Sequence, residues 1–170
     1  MKRIYILRHA KAVAKDAEDF DRVLAPRGHA QMKVISTWLA ERSERPELAL
    51  VSPAARARET WGLAGLPDVP VVFDARIYEA SPKTLLDVIR GAEETARTLV
   101  LVGHNPGLED LAHKLVGSGP AGLRARIETK FPTAAIVAVD LEVESWGAVT
   151  FGAGRLTDFV TPAMLGGEDD

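Results

Sequence analysis

Ile4-Tyr5-Ile6-Leu7-Arg8-His9 begins as an apolar run and ends on an arginine and a histidine. A short, continuous apolar run of this kind is typical of a buried strand. The pattern recurs at Thr98-Leu99-Val100-Leu101-Val102-Gly103, which His104 follows directly. Both histidines are therefore expected where a buried strand gives way to a loop, and ligands bind at that edge of an open α/β sheet.

Amphipathic helices alternate with apolar runs along the chain. Ser52-Pro53 indicates a helix start, because serine caps a helix and proline suits its first position. The predicted order is a helix over 28–42, a strand over 48–51, a helix over 53–63, a strand over 69–73, a helix after Ser81-Pro82, the strand over 98–103, a helix between Asn105 and Gly117, and a hairpin of strands over 134–141 and 148–151. This alternation predicts an α/β single-domain three-layer sandwich, with a mainly parallel central sheet, helices on both faces and a short antiparallel addition late in the chain.

Bulk composition limits the classes of protein to consider. The chain has 170 residues, no cysteine and a net charge of -3, and charges of both signs are interspersed. Without cysteine there are no disulfides and no thiolate chemistry, and the mixed charge argues against a nucleic-acid surface. No stretch approaches membrane-spanning length, and the first apolar run is too short for a signal peptide. We expect a cytoplasmic protein with one domain over 1–160 and a flexible C-terminal tail over 161–170.

Arginines and histidines near the predicted sheet edge suit the binding of a phosphoryl group. Such a group carries close to two negative charges, and the planar guanidinium of Arg8 or Arg56 can pair with two of its oxygens. Neighbouring arginines disfavour imidazolium, so His9 keeps a free nitrogen for nucleophilic attack. His104 can donate to the transferring group, and the helix predicted at Asn105-Pro106 adds backbone N–H groups.

Several motifs together carry a resemblance to a known family. They are Leu7-Arg8-His9-Ala10-Lys11-Ala12, Asp21-Arg22-Val23-Leu24 with Arg27-Gly28, Ser52-Pro53 ahead of Arg56, Val102-Gly103-His104-Asn105-Pro106, and Phe131-Pro132-Thr133-Ala134-Ala135. Over nearly its whole length the chain resembles the histidine phosphatase superfamily, and within it the SixA-type phosphohistidine phosphatases. The resemblance implies a phosphoglycerate-mutase-like fold, phosphorylation of His9 during turnover, and neither metal nor cofactor. It also implies a conserved catalytic and phosphate-binding core of Arg8, His9, Arg56 and His104.

Two positions match the family pattern only in part. Ala10 stands where the superfamily has glycine, which adds a methyl group that is tolerated unless the backbone φ is positive. Glu79, in Ile77-Tyr78-Glu79-Ala80, is the nearest match to the acidic proton donor of larger members. We therefore treat Glu79 as a candidate proton donor.

Other assignments stay open at this point. Arg58 competes with Arg56 for the cationic role, and the spacing from Ser52-Pro53 favours Arg56. Lys11 either reaches the pocket or is solvated, and Thr133 is a candidate extra donor at the substrate mouth. Trp38-Leu39 is expected in the core, since it fits a helix packed on the sheet.

An acidic cluster follows the first predicted strand. It could collect a metal ion, but a solvated loop that is partly neutralised by Arg22 fits the pattern better. Arg22 is then expected to brace this loop against the cluster rather than to act in catalysis. The cluster comprises Asp16, Glu18, Asp19 and Asp21.

The leading functional hypothesis is a metal-independent phosphatase that forms a phosphohistidine on His9. Its expected partner is a phosphorylated protein such as a phosphotransfer domain, with inorganic phosphate as product. A phosphatase for a small phosphate ester on the same site is the alternative, and a non-catalytic phosphate-binding module is a third hypothesis. We expect neither nucleic acid nor a membrane among the partners.

Overall fold

The computed structural model describes residues 1–14 and 18–170. Its strands are β1 (Lys2–Arg8), β2 (Leu48–Val51), β3 (Val71–Phe73), β4 (Thr98–Gly103), β5 (Val116–Ser118), β6 (Ile136–Leu141) and β7 (Gly154–Val160). Its α-helices are α1 (Pro26–Ala40), α2 (Ala55–Gly62), α3 (Pro82–Arg90), α4 (Gly107–Leu115) and α5 (Ala121–Thr129). In these described ranges no helix is both long enough and apolar enough to cross a bilayer.

One sheet joins the strands in the order β3-β2-β4-β1-β6-β7-β5. The pairs β3·β2, β2·β4 and β4·β1 are parallel, whereas β6 runs antiparallel to both β1 and β7. The predicted α/β architecture with a mainly parallel sheet is confirmed. Arg8 is paired with Gly103 at the ends of β1 and β4, so the two strands deliver His9 and His104 to the same sheet edge.

The core lies on both faces of the sheet because successive side chains of a strand point to opposite sides. In β1, Ile4 and Ile6 join one buried cluster, while Tyr5 and Leu7 join the other. Trp38-Leu39 of α1 belongs to the second cluster, as the sequence predicts. The strands that carry the site are therefore held by packing from both sides.

The α2 helix begins later than the sequence predicts. Its first residue is Ala55 rather than Pro53, and its N-cap residue is Ala54. Ser52 is drawn into a different contact, since its hydroxyl lies 2.7 Å from the His104 ring. The side chain of Ser52, for which the sequence predicts a capping role, therefore contacts His104 instead.

The hairpin predicted near the C-terminal end of the sheet is wrong in its second strand. The hairpin partner of β6 is β7. The segment over 148–151 instead begins at the last residue of a short 3₁₀ turn, Trp146–Ala148. A register shift between Ala138 and Val139 interrupts the pairing of β6 with β7. The prediction also missed β5 and α5. In α5 Ile127 is the sole buried residue, so the sequence has almost no apolar stripe by which this helix could be recognised.

The C-terminal segment that we expected to be a flexible tail makes several contacts in the structure. It includes a 3₁₀ turn at Pro162–Leu165, and the Asp169 carboxylate accepts from the Ala163 N–H at 2.9 Å and pairs with Lys130 at 3.0 Å. The Glu168 carbonyl oxygen accepts from Gln31 at 3.1 Å. These contacts hold the segment beside the sheet edge.

Gly28 lets α1 approach the loop after β1, so Gly28→Ala is expected to destabilise the fold. A Cβ at this position would overlap the Lys11 carbonyl oxygen, whereas a Cβ at Gly62 meets open space. We expect a loss of about 1–3 kcal/mol for Gly28→Ala, typical of forced overpacking. Gly62→Ala is the matched control and should be neutral or slightly stabilising. Thermal unfolding checks this, and equal midpoints for both variants would contradict the close approach.

Candidate active site

A pocket of about 700 Å³ lies at the sheet edge where β1 and β4 end. Its lining combines basic, acidic and amide side chains, and more of its surface is polar than apolar. This composition suits a small anionic ligand rather than an apolar one. The lining residues are Arg8, His9, Lys11, Ala12, Asp19, Arg22, Arg56, Glu79, Ala80, His104, Asn105, Pro106, Gly107, Thr133 and Asp170.

The structure brings together the four residues that the sequence predicts as the core of the site. Arg8 is the last residue of β1 and His9 follows it, Arg56 lies on α2, and His104 comes directly after β4. His9, Arg56 and His104 are each less than one-tenth exposed, and the two imidazole centroids are 5.2 Å apart. Arg58, the competing cation, is exposed and does not line the pocket.

Two contacts fix the protonation of the His9 ring. Nδ1 lies 2.7 Å from the carbonyl oxygen of Ala10, which can only accept, so Nδ1 carries the proton. The Arg56 Nε–H donates to His9 Nε2 at 3.4 Å, which requires a lone pair there. His9 is therefore held as the neutral tautomer whose free Nε2 lies beside a guanidinium.

A serine that sequence reasoning treated as a helix cap instead contacts the second histidine. Ser52 Oγ lies 2.7 Å from His104 Nε2 and accepts from the Ala54 N–H at 3.2 Å. A hydroxyl oxygen can accept a hydrogen bond and still donate its own hydrogen, so Ser52 is able to donate to His104 Nε2. With that donation, the proton of the neutral ring is on Nδ1.

Two buried nitrogens in the pocket lack a protein partner. Within residues 1–14 and 18–170, neither Arg8 Nε nor His104 Nδ1 makes a hydrogen bond. The other end of the Arg8 guanidinium is held, since Nη1 donates to the Phe131 carbonyl at 2.9 Å. Unpaired buried donors cost about 1–3 kcal/mol each, so an acceptor supplied by a ligand would be favourable here.

Both histidines are strongly biased to the neutral form. Burial lowers the pKa of His9 to about 3, and the positive charges of Arg56 and Arg8 act in the same direction. Burial likewise lowers the pKa of His104 to about 4, with Arg56 the next largest cause. A charged imidazolium would lose hydration and face guanidinium groups, so both rings are neutral at pH 7.

The sequence predicts a solvated loop for the acidic cluster, but in the structure Asp19 makes specific contacts. The Asp19 carboxylate accepts from Arg56 Nη2 at 3.1 Å, from the Tyr78 hydroxyl at 2.5 Å and from Arg22 Nε at 3.1 Å. The hydrogen bond from Tyr78, followed by that from Arg56, lowers the pKa of Asp19 to about 2. Asp19 therefore anchors Arg56, and Asp16, another member of the cluster, lies outside the described residues.

The remaining candidates line the pocket in different ways. Glu79 is exposed at the rim and has a φ of 54°, a left-handed conformation that is unusual for a glutamate. Lys11 and Thr133 both line the pocket, and Thr133 Oγ1 accepts from Gln31 at 3.1 Å. Arg22 makes the expected contact with the acidic cluster, through Asp19.

Sequence reasoning missed four residues that shape the pocket or support it. The local pattern predicts a helix cap at Ser52 and a flexible tail that includes Asp170, and it marks neither Gln31 nor Tyr78. No group of three or more potential metal ligands occurs among the residues that the structure describes.

Comparisons with known proteins identify the family to which the chain belongs. The family model described as the histidine phosphatase superfamily (branch 1) matches residues 4–85. An uncharacterised protein of Mycobacterium tuberculosis is 34% identical over 159 residues, which cover 92% of this chain and 99% of that protein. An uncharacterised protein of Mycobacterium leprae is 35% identical over 162 residues, covering 88% of this chain and all of that protein.

Solved structures are similar over almost the whole length. A protein from Agrobacterium tumefaciens, provisionally assigned as the phosphohistidine phosphatase SixA, has a TM-score of 0.79 and 33% identity, covering 95% of this chain and 98% of its own. The protein histidine phosphatase SixA complexed with tungstate has a TM-score of 0.77, covering 96% of this chain and 99% of its own. At 22% identity that second likeness supports the fold alone. The chain belongs to the histidine phosphatase superfamily, which confirms the resemblance drawn from the sequence.

The neutral state of His9 can be tested directly by NMR. Because its pKa is lowered to about 3, first by burial, the ring is expected to show no titration between pH 8 and pH 5. In the urea-unfolded chain, the same imidazole should titrate at about 6.5. Half-protonation of His9 near pH 6.5 in the folded chain would show that the site does not exclude imidazolium.

Proposed function

We propose that the chain is a metal-independent phosphatase in which His9 Nε2 accepts the phosphoryl group and water then removes it. The single observation that carries this proposal is the free Nε2 lone pair, 3.4 Å from Arg56 Nε, in a pocket lined by Arg8 and His104. A nucleophile must be unprotonated, and fixed cations must surround the phosphoryl oxygens. Both conditions are met at one point of the fold.

The first step transfers the phosphoryl group to the enzyme. The Nε2 lone pair of His9 forms a bond to phosphorus as the bond to the leaving group breaks, and the leaving group departs with that electron pair. Arg8 Nε and His104 Nδ1, the unpaired donors, bind the equatorial oxygens together with Arg56. The Nδ1–H of the ring keeps its bond to the Ala10 carbonyl, which stabilises the positive phosphoimidazolium.

The second step regenerates the enzyme. A water oxygen attacks phosphorus, the bond from phosphorus to Nε2 breaks, and the electron pair returns to the ring. The products are inorganic phosphate and neutral His9. Burial and the nearby guanidinium groups favour this neutral ring, so they also make His9 a good leaving group in this step.

A protein phosphohistidine is the substrate that we favour. The site opens to the surface between exposed rim residues such as Glu79 and Pro106, so a side chain from another protein can enter. An imidazole leaving group needs less help from a strong acid than an alkoxide does, which fits a site whose buried histidines are neutral. The name of the similar protein from Agrobacterium tumefaciens, provisionally assigned as the phosphohistidine phosphatase SixA, supports the same assignment.

A small phosphate ester is the second candidate substrate. The pocket volume of about 700 Å³ falls within the range of sites that hold small molecules. The same chemistry at His9 would serve an ester, provided that a proton reaches the departing alkoxide. Glu79, which lines the pocket at its rim, is the carboxyl group that we assign to that role.

Phosphate release in the presence of a chelator tests the reaction and its substrate. We expect a histidine-phosphorylated phosphotransfer protein to react at least about tenfold faster in kcat/KM than p-nitrophenyl phosphate, a preference of ~1.4 kcal/mol. His9→Ala should reduce both reactions to the uncatalysed level, whereas the matched control His29→Ala alters an exposed histidine of α1 and should change neither. A preference for the ester would favour a phosphatase for small phosphate esters. Binding of phosphate without any phosphate release from either substrate would favour a binding module.

Glu79→Gln separates the two leaving groups. If Glu79 donates a proton to an alkoxide, ester hydrolysis should fall by about a hundredfold, within the range of general acid catalysis. Hydrolysis of phosphohistidine should change by no more than about twofold, because the leaving nitrogen needs less help. Glu128→Gln on α5 alters an exposed carboxylate that is not part of the pocket and serves as control. Equal losses on both substrates would remove Glu79 from the role of a selective donor.

A further inference from the structure

Asp170, an exposed residue that is remote in sequence from the predicted site, lines the pocket. Its Oδ1 accepts from the Thr133 N–H at 3.1 Å, and Asp170 shares the pocket lining with Arg8. The charges of Asp170 and Arg8 also favour one another's ionised forms. A built-in anion therefore lines the same pocket as the cation that we assign to the phosphoryl group.

The segment that carries Asp170 is held at several points. Asp169 pairs with Lys130 at 3.0 Å, and the Glu168 carbonyl accepts from Gln31 Nε2 at 3.1 Å. Gln31 is almost fully buried, and its Oε1 accepts from the Lys11 N–H at 2.9 Å on the loop that follows His9. The position of the Asp170 carboxylate is thus coupled to the loop that carries the nucleophile.

The Thr133 N–H, in a pocket that Arg8 also lines, would otherwise form a binding place for an anion. Backbone N–H groups and guanidinium groups are favourable partners for carboxylate and phosphate oxygens. A phosphate ester with a second anionic group could place that group there while its phosphoryl group faces His9. Asp170 already occupies the backbone donor, and its negative charge repels a second anion.

We propose that Asp170 is a specificity-determining residue that fills this second-anion subsite and selects against phosphorylated compounds carrying an additional carboxylate or phosphate near the phosphoryl group. The proposal rests on the proposed function and narrows its substrate class. It favours a phosphoryl group on a neutral or cationic carrier, such as the imidazole of a histidine. Burial opposes ionisation of Asp170, but the Thr133 N–H and the Arg8 charge outweigh it and lower its pKa, so the carboxylate stays charged at neutral pH.

Two phosphonates of the same length test the subsite without turnover, because their carbon–phosphorus bond is not cleaved. Propylphosphonate carries the phosphoryl-like group alone, and 3-phosphonopropionate adds a carboxylate at the other end. Isothermal titration calorimetry on the full chain gives the dissociation constant of each. The wild type should bind propylphosphonate at least about tenfold more tightly, a difference of ~1.4 kcal/mol.

Asp170→Ala should raise the affinity for 3-phosphonopropionate by about tenfold while that for propylphosphonate changes by no more than about threefold. Glu168→Gln is the matched control, since it removes one negative charge from the same segment at a residue outside the pocket. It should leave the ratio of the two affinities unchanged.

An unchanged ratio in Asp170→Ala, with propylphosphonate still bound, would overturn the subsite alone. Failure of every variant to bind either phosphonate would overturn the phosphoryl site and the proposed function with it.

Discussion

The parallel pairing of β1 with β4 is the constraint on which the site depends. Backbone hydrogen bonds fix Arg8 opposite Gly103. The residue that follows each strand is a histidine, so both histidines lie at the same sheet edge. Both strands are buried on two faces, and a slip of one residue would reverse the sides on which their side chains lie. Packing of the core therefore fixes the distance between His9 and His104.

The second requirement is a neutral imidazole among fixed cations. Burial and the neighbouring guanidinium of Arg56 keep a proton off His9 Nε2, while the Ala10 carbonyl holds the other proton in place. Asp19 anchors Arg56 from the opposite side through its carboxylate and its backbone carbonyl. Because these dipoles and charges are in position before a ligand arrives, little reorganisation is needed during phosphoryl transfer.

Much of this arrangement could be predicted from the sequence, because its signals are local. An apolar run that ends on Arg8-His9 predicts both a buried strand and a residue at the sheet edge. Contacts between distant residues gave no such signal: Asp19 meets Arg56 across 37 positions, and Ser52 meets His104 across 52. Each of these side chains has an ordinary local explanation, as a solvated acid or a helix cap, and only the tertiary fold shows which contact forms.

The central claim is that His9 Nε2 becomes covalently bonded to phosphorus. The most direct measurement is rapid mixing of the full chain with a phosphorylated substrate, an alkaline quench that preserves phosphohistidine, and localisation of the phosphate by mass spectrometry. The account predicts a transient phosphate on His9 that forms and decays at rates consistent with turnover. Phosphate on a different residue, or turnover without phosphate on His9 when the trapping is fast enough to detect it, would contradict the account.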